Sequence, residues 1–157
     1  RALGPHACSG TERDNSSAWA THRAIEGVNS ALVKQIYVDL GSGNIPGFIA
    51  GLSPDVVWNE AENNALADKN PFEGVDAVLT GVFGRIAQDW SSFAVEPETY
   101  VAEGNHVVMF GRYQATSAVT GKNVNPQVVH RYTIENGKVT EFQQYVDTLA
   151  LDAAVQP

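Results

Sequence analysis

The stretch VVHRYTIENGKVTEFQQYVDT, residues 128–148, sets a histidine, two tyrosines, a pair of glutamines and an aspartate along two alternating runs. Imidazole and carboxylate groups move protons at neutral pH, and donors aimed at a developing oxyanion complete that chemistry. Asn136-Gly137 between the runs is the strongest short-range signal for a β-hairpin. With those two residues as the loop, Glu135 opposes Lys138 and Ile134 opposes Val139. Regular pairing then sets Tyr132 against Glu141, His130 against Gln143 and Val128 against Tyr145. One face collects Val128, His130, Tyr132, Ile134, Val139, Glu141, Gln143, Tyr145 and Asp147; the other collects Val129, Arg131, Thr133, Thr140, Phe142, Gln144 and Val146. The first face is the better candidate for helix cover, apolar near the turn and polar towards Asp147. An unpaired polar group costs roughly 1–3 kcal/mol to bury. The polar end is therefore expected to be hydrogen-bonded together or to line a wet cavity.

The elements that must position this hairpin read from the periodicity. IEGVNSALVKQIYVDLGSG places Val28, Leu32, Val33, Ile36, Tyr37 and Leu40 on one helical face, and Gly41-Ser42-Gly43 ends it. A short helix, NIPGFIAGL, follows, and then a strand, DVVWNEA, with Val56, Trp58 and Glu60 on one side. ENNALADKNP is a polar loop, and FEGVDAVLTGVFGRIAQDW repeats apolar residues at helical spacing. Beyond Trp90 the period becomes two. SSFAVEPETYVAEG, NHVVMFGRYQATSAV, NVNPQVVHRYTI and GKVTEFQQYVDT are four strand candidates, with turns at Gly104-Asn105, Thr120-Gly121 and Asn136-Gly137. A short helix, LALDAAV, closes the chain. Helices followed by an antiparallel meander define an α+β domain. Residues 1–24 lack sustained periodicity and are expected to form a flexible extension to a single domain at 25–157, with Trp19 pinning its end.

Composition narrows the partners. With 157 residues, one sizeable core is affordable in a single domain. The formal charge of −8 lacks the basic footprint that nucleic acid or an anionic membrane requires. No apolar run approaches the roughly 20 residues of a membrane span. Cys8 is the single cysteine, which excludes an intrachain disulfide and a cysteine-based zinc site, and points to a cytoplasmic setting. His6, His22, His106 and His130 show no metal-ligand spacing, so neither metal nor cofactor is expected. Gly41-Ser42-Gly43 follows a helix rather than a strand, so it reads as a turn and not a phosphate loop. The sequence opens on Arg1 and reads as part of a longer chain.

The order of these elements resembles the NTF2-like fold, and most closely its SnoaL-like polyketide cyclase and ketosteroid isomerase-related branch. The residues that carry the likeness are LVKQIYVDLGSGN, DVVW, Asn70-Pro71 before Gly74, Thr120-Gly121, and NGKVTEF followed by YVDT, together spanning about residues 29–155. The resemblance implies a cone, in which a curved antiparallel sheet wraps three helices around an enclosed apolar pocket. By likeness to the isomerases, Tyr37 would be an oxyanion donor, Glu60 the base and His130 the partner acid. At the last two places Glu and His stand where that family has Asp. By likeness to the cyclases, His130 and Asp147 would share the acid–base work. Trp58 and Tyr145 would shape the pocket, with Tyr132, Gln143, Tyr113 and Arg112 around them. The implied partner is a small apolar carbonyl-bearing molecule, isomerised or cyclised without a cofactor. The family also implies a homodimer through the outer sheet face, here carrying Val129, Phe142 and Val146.

Other readings stay open on the same residues. His130 could be a core histidine satisfied by Gln143 or Tyr37, Asp147 a helix cap, Glu60 an exposed strand end, and Tyr37 plain packing. The scaffold also hosts non-catalytic ligand-binding or dimerisation domains, and epoxide hydrolases in which Arg112 would pair with Glu60 or Asp147.

Overall fold

The computed structural model describes residues 13–157, with side chains from residue 17 onward. Helix α1 (Arg13–Ser42) begins well before the expected start at Ile25. From residue 17 through Ile25 the helix stays exposed and buries no face, which is why that segment showed no apolar period. Cys8 and the rest of residues 1–12 lie outside the described residues. Further along, Val33, Ile36 and Tyr37 turn inward from α1. The helix ends where expected. Gly43, at φ 72°, sends its N–H to Leu40 O, while Asn44 N–H reaches Asp39 O at 2.8 Å. That pair of bonds is a Schellman stop, and the left-handed φ selects glycine.

Asn44 then caps α2 (Ile45–Ala50), accepting from Gly47 N at 3.2 Å. Strand β1 (Leu52–Asn59) pairs with the short β2 (Phe72–Glu73). Helices α3 (Val75–Val78) and α4 (Gly84–Asp89) are joined through a π-helical turn at Leu79–Phe83. Gly81 in that turn lies where a Cβ would meet the Phe72 ring at 2.4 Å, so the missing side chain lets the helix rest on Phe72. Strands β3 (Trp90–Glu103), β4 (His106–Ser117), β5 (Asn123–Val124), β6 (Gln127–Glu135) and β7 (Lys138–Val146) follow, and α5 (Thr148–Val155) closes the chain.

The sheet runs β2-β1-β7-β6-β4-β3, with β5 beside β4. Every pairing is antiparallel except β1 with β7. The long pair β3–β4 slips register between Pro97 and Thr99, opposite Gly111, where a Cβ would lie 2.3 Å from Glu96 O. A bulge beside a glycine bends the sheet, and the proline is tolerated because β3 is an edge. The sheet is thereby curved and unclosed. Its concave face buries Val107, Met109, Val128, Tyr132, Ile134, Val139 and Phe142 against Ile36, Phe48, Val78 and Val82 from the helices. Each such side chain is worth roughly 1.5–3 kcal/mol of transfer free energy.

The terminal hairpin departs from the regular pairing in one respect. Asn136 (φ 51°) and Gly137 (φ 71°) form the expected two-residue turn, and Ile134 opposes Val139. A register shift follows immediately, so that Thr133 pairs with Glu141, Tyr132 with Phe142 and His130 with Gln144. Thr140 is the extra residue, its hydroxyl bonded to Thr133 O at 3.3 Å. The cause is apolar spacing. Val139 and Phe142 lie three apart, so a regular strand could bury one of them and not both. With the bulge, Val139 is 0% and Phe142 2% exposed. Every residue beyond the bulge then changes face, and Gln143 and Tyr145 give up the concave side to Phe142 and Gln144. Phe142 and Val146 accordingly leave the outer face for the concave one, Val146 opposite Val128, and Val129 remains outside, half-buried. Among the described residues, no helix is long and apolar enough to cross a membrane.

Candidate active site

His130 leaves β6 pointing into the concave face and is 5% exposed. Its Nδ1 lies 2.7 Å from the Tyr37 hydroxyl of α1, and its Nε2 lies 2.7 Å from the Tyr113 hydroxyl of β4. Tyr132, two residues on, donates its hydroxyl to Tyr37 at 2.7 Å. Burial pushes the imidazole down to about 3, so His130 is neutral and does not titrate near pH 7 as its residue type suggested. Burial likewise raises all three phenols above their ordinary value; the Tyr132 neighbour adds to this at Tyr37, the nearby Glu60 charge adds to it at Tyr113 and Tyr132, and the bond to Tyr37 opposes it at Tyr132. They stay protonated.

Glu60 follows the end of β1 and is 2% exposed, not solvated at a strand end. Asn70 brackets its backbone, accepting from Glu60 N at 3.0 Å and donating to Glu60 O at 2.7 Å. Its carboxylate accepts from Trp58 Nε1 at 2.8 Å and from Asn64 Nδ2 at 3.3 Å. Burial raises this carboxyl to about 7 against the opposing pull of the Trp58 bond. A carboxyl held at that value can give or take a proton under neutral conditions.

Gln144 joins the two groups, and sequence reasoning placed it on the wrong face. Its Oε1 accepts from Ala61 N at 3.1 Å and from Asn64 Nδ2 at 2.8 Å, and its Nε2 donates to Tyr113 at 2.8 Å. Phe142, also missed, lies 3.7 Å from Trp58 between ring centroids and stands edge-on to His130. Asn64 was missed as well. It holds both Glu60 and Gln144 while accepting from Leu66 N, and nothing in a polar loop marks it out. The three-residue spacing of Val139 and Phe142 was the available signal for the other two.

The remaining candidates lie elsewhere. Asp147 is exposed and caps α5, accepting from Ala150 N at 3.1 Å, so it is not brought to His130. Tyr145 is 53% exposed on the convex face. Gln143 donates to the Gln144 backbone carbonyl at 2.8 Å. Arg112 alternates outward on β4 and donates to Asn125 at 2.7 Å, so it faces away from Glu60 and the interior of the cone.

Two cavities meet at this circuit. An inner one of about 50 Å³ is lined by Tyr37, Trp58, Glu60, Tyr113, His130 and Gln144 together with apolar groups. An outer one of about 250 Å³ lies under α5 and the Asn63–Leu66 loop, with Trp90, Leu151 and Val155 in its wall. Ile86, Phe93, Tyr113 and Gln144 border both. Among the described residues, no group of three or more histidine, cysteine or acidic side chains could hold a metal ion.

The family model of the SnoaL-like domain matches residues 33–142, most of the chain and nearly all of the sheet. The chain belongs to the SnoaL-like family. The SnoaL-like chain is similar in structure to an NTF2-like protein from Burkholderia thailandensis, with 26% identity and a TM-score of 0.78 over 82% of this chain and 98% of that one. A candidate SnoaL-like polyketide cyclase from Jannaschia is 20% identical, with a TM-score of 0.70 over 85% of this chain and 96% of the other. TerC, crystallised with polyporic acid, is 21% identical, with a TM-score of 0.75 over 83% and 99%. Among curated proteins, none matches the sequence.

Proposed function

We propose that this SnoaL-like protein is a cofactor-independent enzyme that takes a small, largely apolar, carbonyl-bearing molecule into the cone. Glu60 removes a proton next to the carbonyl, and the buried phenols stabilise the enolate, leading to isomerisation or ring closure. The observation that carries this reading is Glu60 itself, a carboxyl 2% exposed, raised to about 7, beside a hydrogen-bonded chain of three tyrosines and a histidine. A purely structural glutamate would be expected to find a cationic partner; this one has neutral donors and a cavity. The candidate polyketide cyclase and the polyporic acid complex among similar folds are compatible with an apolar oxygenated ligand.

Deuterium exchange at the carbon next to the carbonyl of 1-tetralone, followed by NMR in D₂O, tests it without the natural substrate. Exchange should exceed the buffer rate and fall by about 100-fold or more in Glu60→Gln, the usual worth of a general base. A wild-type rate equal to buffer would remove the catalytic reading. Tetralone binding without exchange would instead favour the second reading, a non-catalytic small-ligand domain, for which the small inner cavity of about 50 Å³ speaks.

We also propose a homodimer through the convex sheet face. Phe110, Val129 and Tyr145 sit abreast on β4, β6 and β7, with Phe110 43% and Tyr145 53% exposed.

A further inference from the structure

The Tyr132–Tyr37–His130–Tyr113 chain does not close in protons. Among the described residues, every buried side-chain nitrogen and oxygen has a hydrogen-bond partner. Three phenols and one neutral imidazole nevertheless carry four protons between them, and only three contacts join them. One proton is left over. The amide of Gln144 cannot absorb it. Its Oε1 is committed as acceptor to the Ala61 backbone N–H, so Nε2 must be the atom facing Tyr113, and it too is a donor.

The tautomer of His130 decides where the surplus sits, given that Tyr132 donates to Tyr37. With the proton on Nε2, the imidazole donates to Tyr113 and accepts from Tyr37. Tyr113 oxygen then receives two hydrogen bonds, from His130 and Gln144, and its own O–H has no partner among the described residues. With the proton on Nδ1, Tyr113 donates to Nε2 and the unpartnered O–H is that of Tyr37. Tyr37 borders the inner cavity, whereas Tyr113 borders both. A molecule arriving through the outer cavity therefore meets Tyr113 first.

We infer that Tyr113 is the residue that donates a hydrogen bond to the carbonyl oxygen of the bound molecule, and that His130 is a positioning residue that selects this donor by holding its proton on Nε2. The inference rests on the carbonyl-ligand reading above and moves the oxyanion donor from Tyr37 to Tyr113. A phenol already accepting two hydrogen bonds is a stronger donor, because each accepted bond polarises its O–H. The required ligand group is an acceptor. At this end of the chain an ammonium, which can only donate, would find no free acceptor on Tyr113 or His130.

Binding of carbonyl-labelled 1-tetralone to the intact protein tests this. In the wild-type complex, ¹⁵N NMR of His130 should show a protonated Nε2 and an unprotonated Nδ1. The ketone stretch of the bound probe should be lowered in wild type and in Tyr37→Phe, and should return towards its unbonded value in Tyr113→Phe. Affinity should fall about tenfold in Tyr113→Phe, the upper range for one neutral hydrogen bond. A proton on Nδ1 in the complex, or a ketone stretch released by Tyr37→Phe instead, overturns the assignment. The nitrogen measurement needs no variant, so misfolding of Tyr113→Phe does not shelter the inference. Reversed signatures with α-deuterium exchange intact would remove this inference alone. Expected signatures without exchange would remove the catalytic reading alone, and absence of tetralone binding would remove both.

Discussion

Glu60 and His130 are buried titratable groups whose ionisations oppose each other. Glu60 titrates at about 7 in the fold against 4.5 for the free side chain, so between those values the folded protein keeps a proton that the unfolded chain has lost. Its contribution to stability is complete below pH 4.5 and is lost as pH rises through 7. His130 titrates at about 3 against 6.5, so between those values the unfolded chain takes a proton that the fold refuses. That contribution is complete above pH 6.5 and is lost as pH falls through 3. The two slopes act against each other across pH 4.5 to 6.5. Wild-type melting temperature should therefore vary little there, whereas Glu60→Gln should gain stability steadily with rising pH up to about 6.5. Parallel thermal-denaturation profiles for the two proteins would refute the assignment. Proton abstraction depends on the same group with the other sign. The exchange rate should climb with pH and level off above about 7, as the carboxylate form fills.

At the level of elements, one inserted residue decides which side chains face the cavity. Thr140 shifts β7 by one position against β6, burying both Val139 and Phe142 and carrying Gln144 in opposite His130. The tight turn that precedes it is independent of that choice, since Asn136 and Gly137 need only their left-handed φ values. Just beyond β7, Asp147 ends the sheet and starts α5, which roofs the outer cavity. Asp147→Ala should cost about 1 kcal/mol through the lost cap, read as a lower denaturation midpoint. The chemistry of Glu60 should survive it. A loss of exchange in Asp147→Ala comparable with that in Glu60→Gln would return Asp147 to the catalytic group.

Across the whole molecule, the convex face carries the proposed self-association. Phe110→Glu combined with Tyr145→Glu should shift the sedimentation coefficient from dimer to monomer at unchanged fold content, since both side chains are already exposed. A wild-type protein that sediments as a monomer would dismiss the dimer. The order of helices and strands, the glycine stop at Gly43 and the Asn136-Gly137 turn were legible in the sequence because each is local: periodicity, capping and left-handed φ act over a few residues. Tyr37, Glu60, His130, Trp58, Tyr113 and Tyr132 were legible as candidates through family resemblance and alternation, and the structure brings all six to the inner cavity. Asn64, Phe142 and Gln144 were not, and Asp147, Gln143, Tyr145 and Arg112 were misplaced. Alternation predicts a face only until a bulge intervenes, and that bulge exists because two apolar residues three apart both gain by burial against the same core. Sequence alone determined the element order and the local stops of this protein. Tertiary packing decided which residues became neighbours, and through burial it moved His130 away from neutral titration and Glu60 towards it.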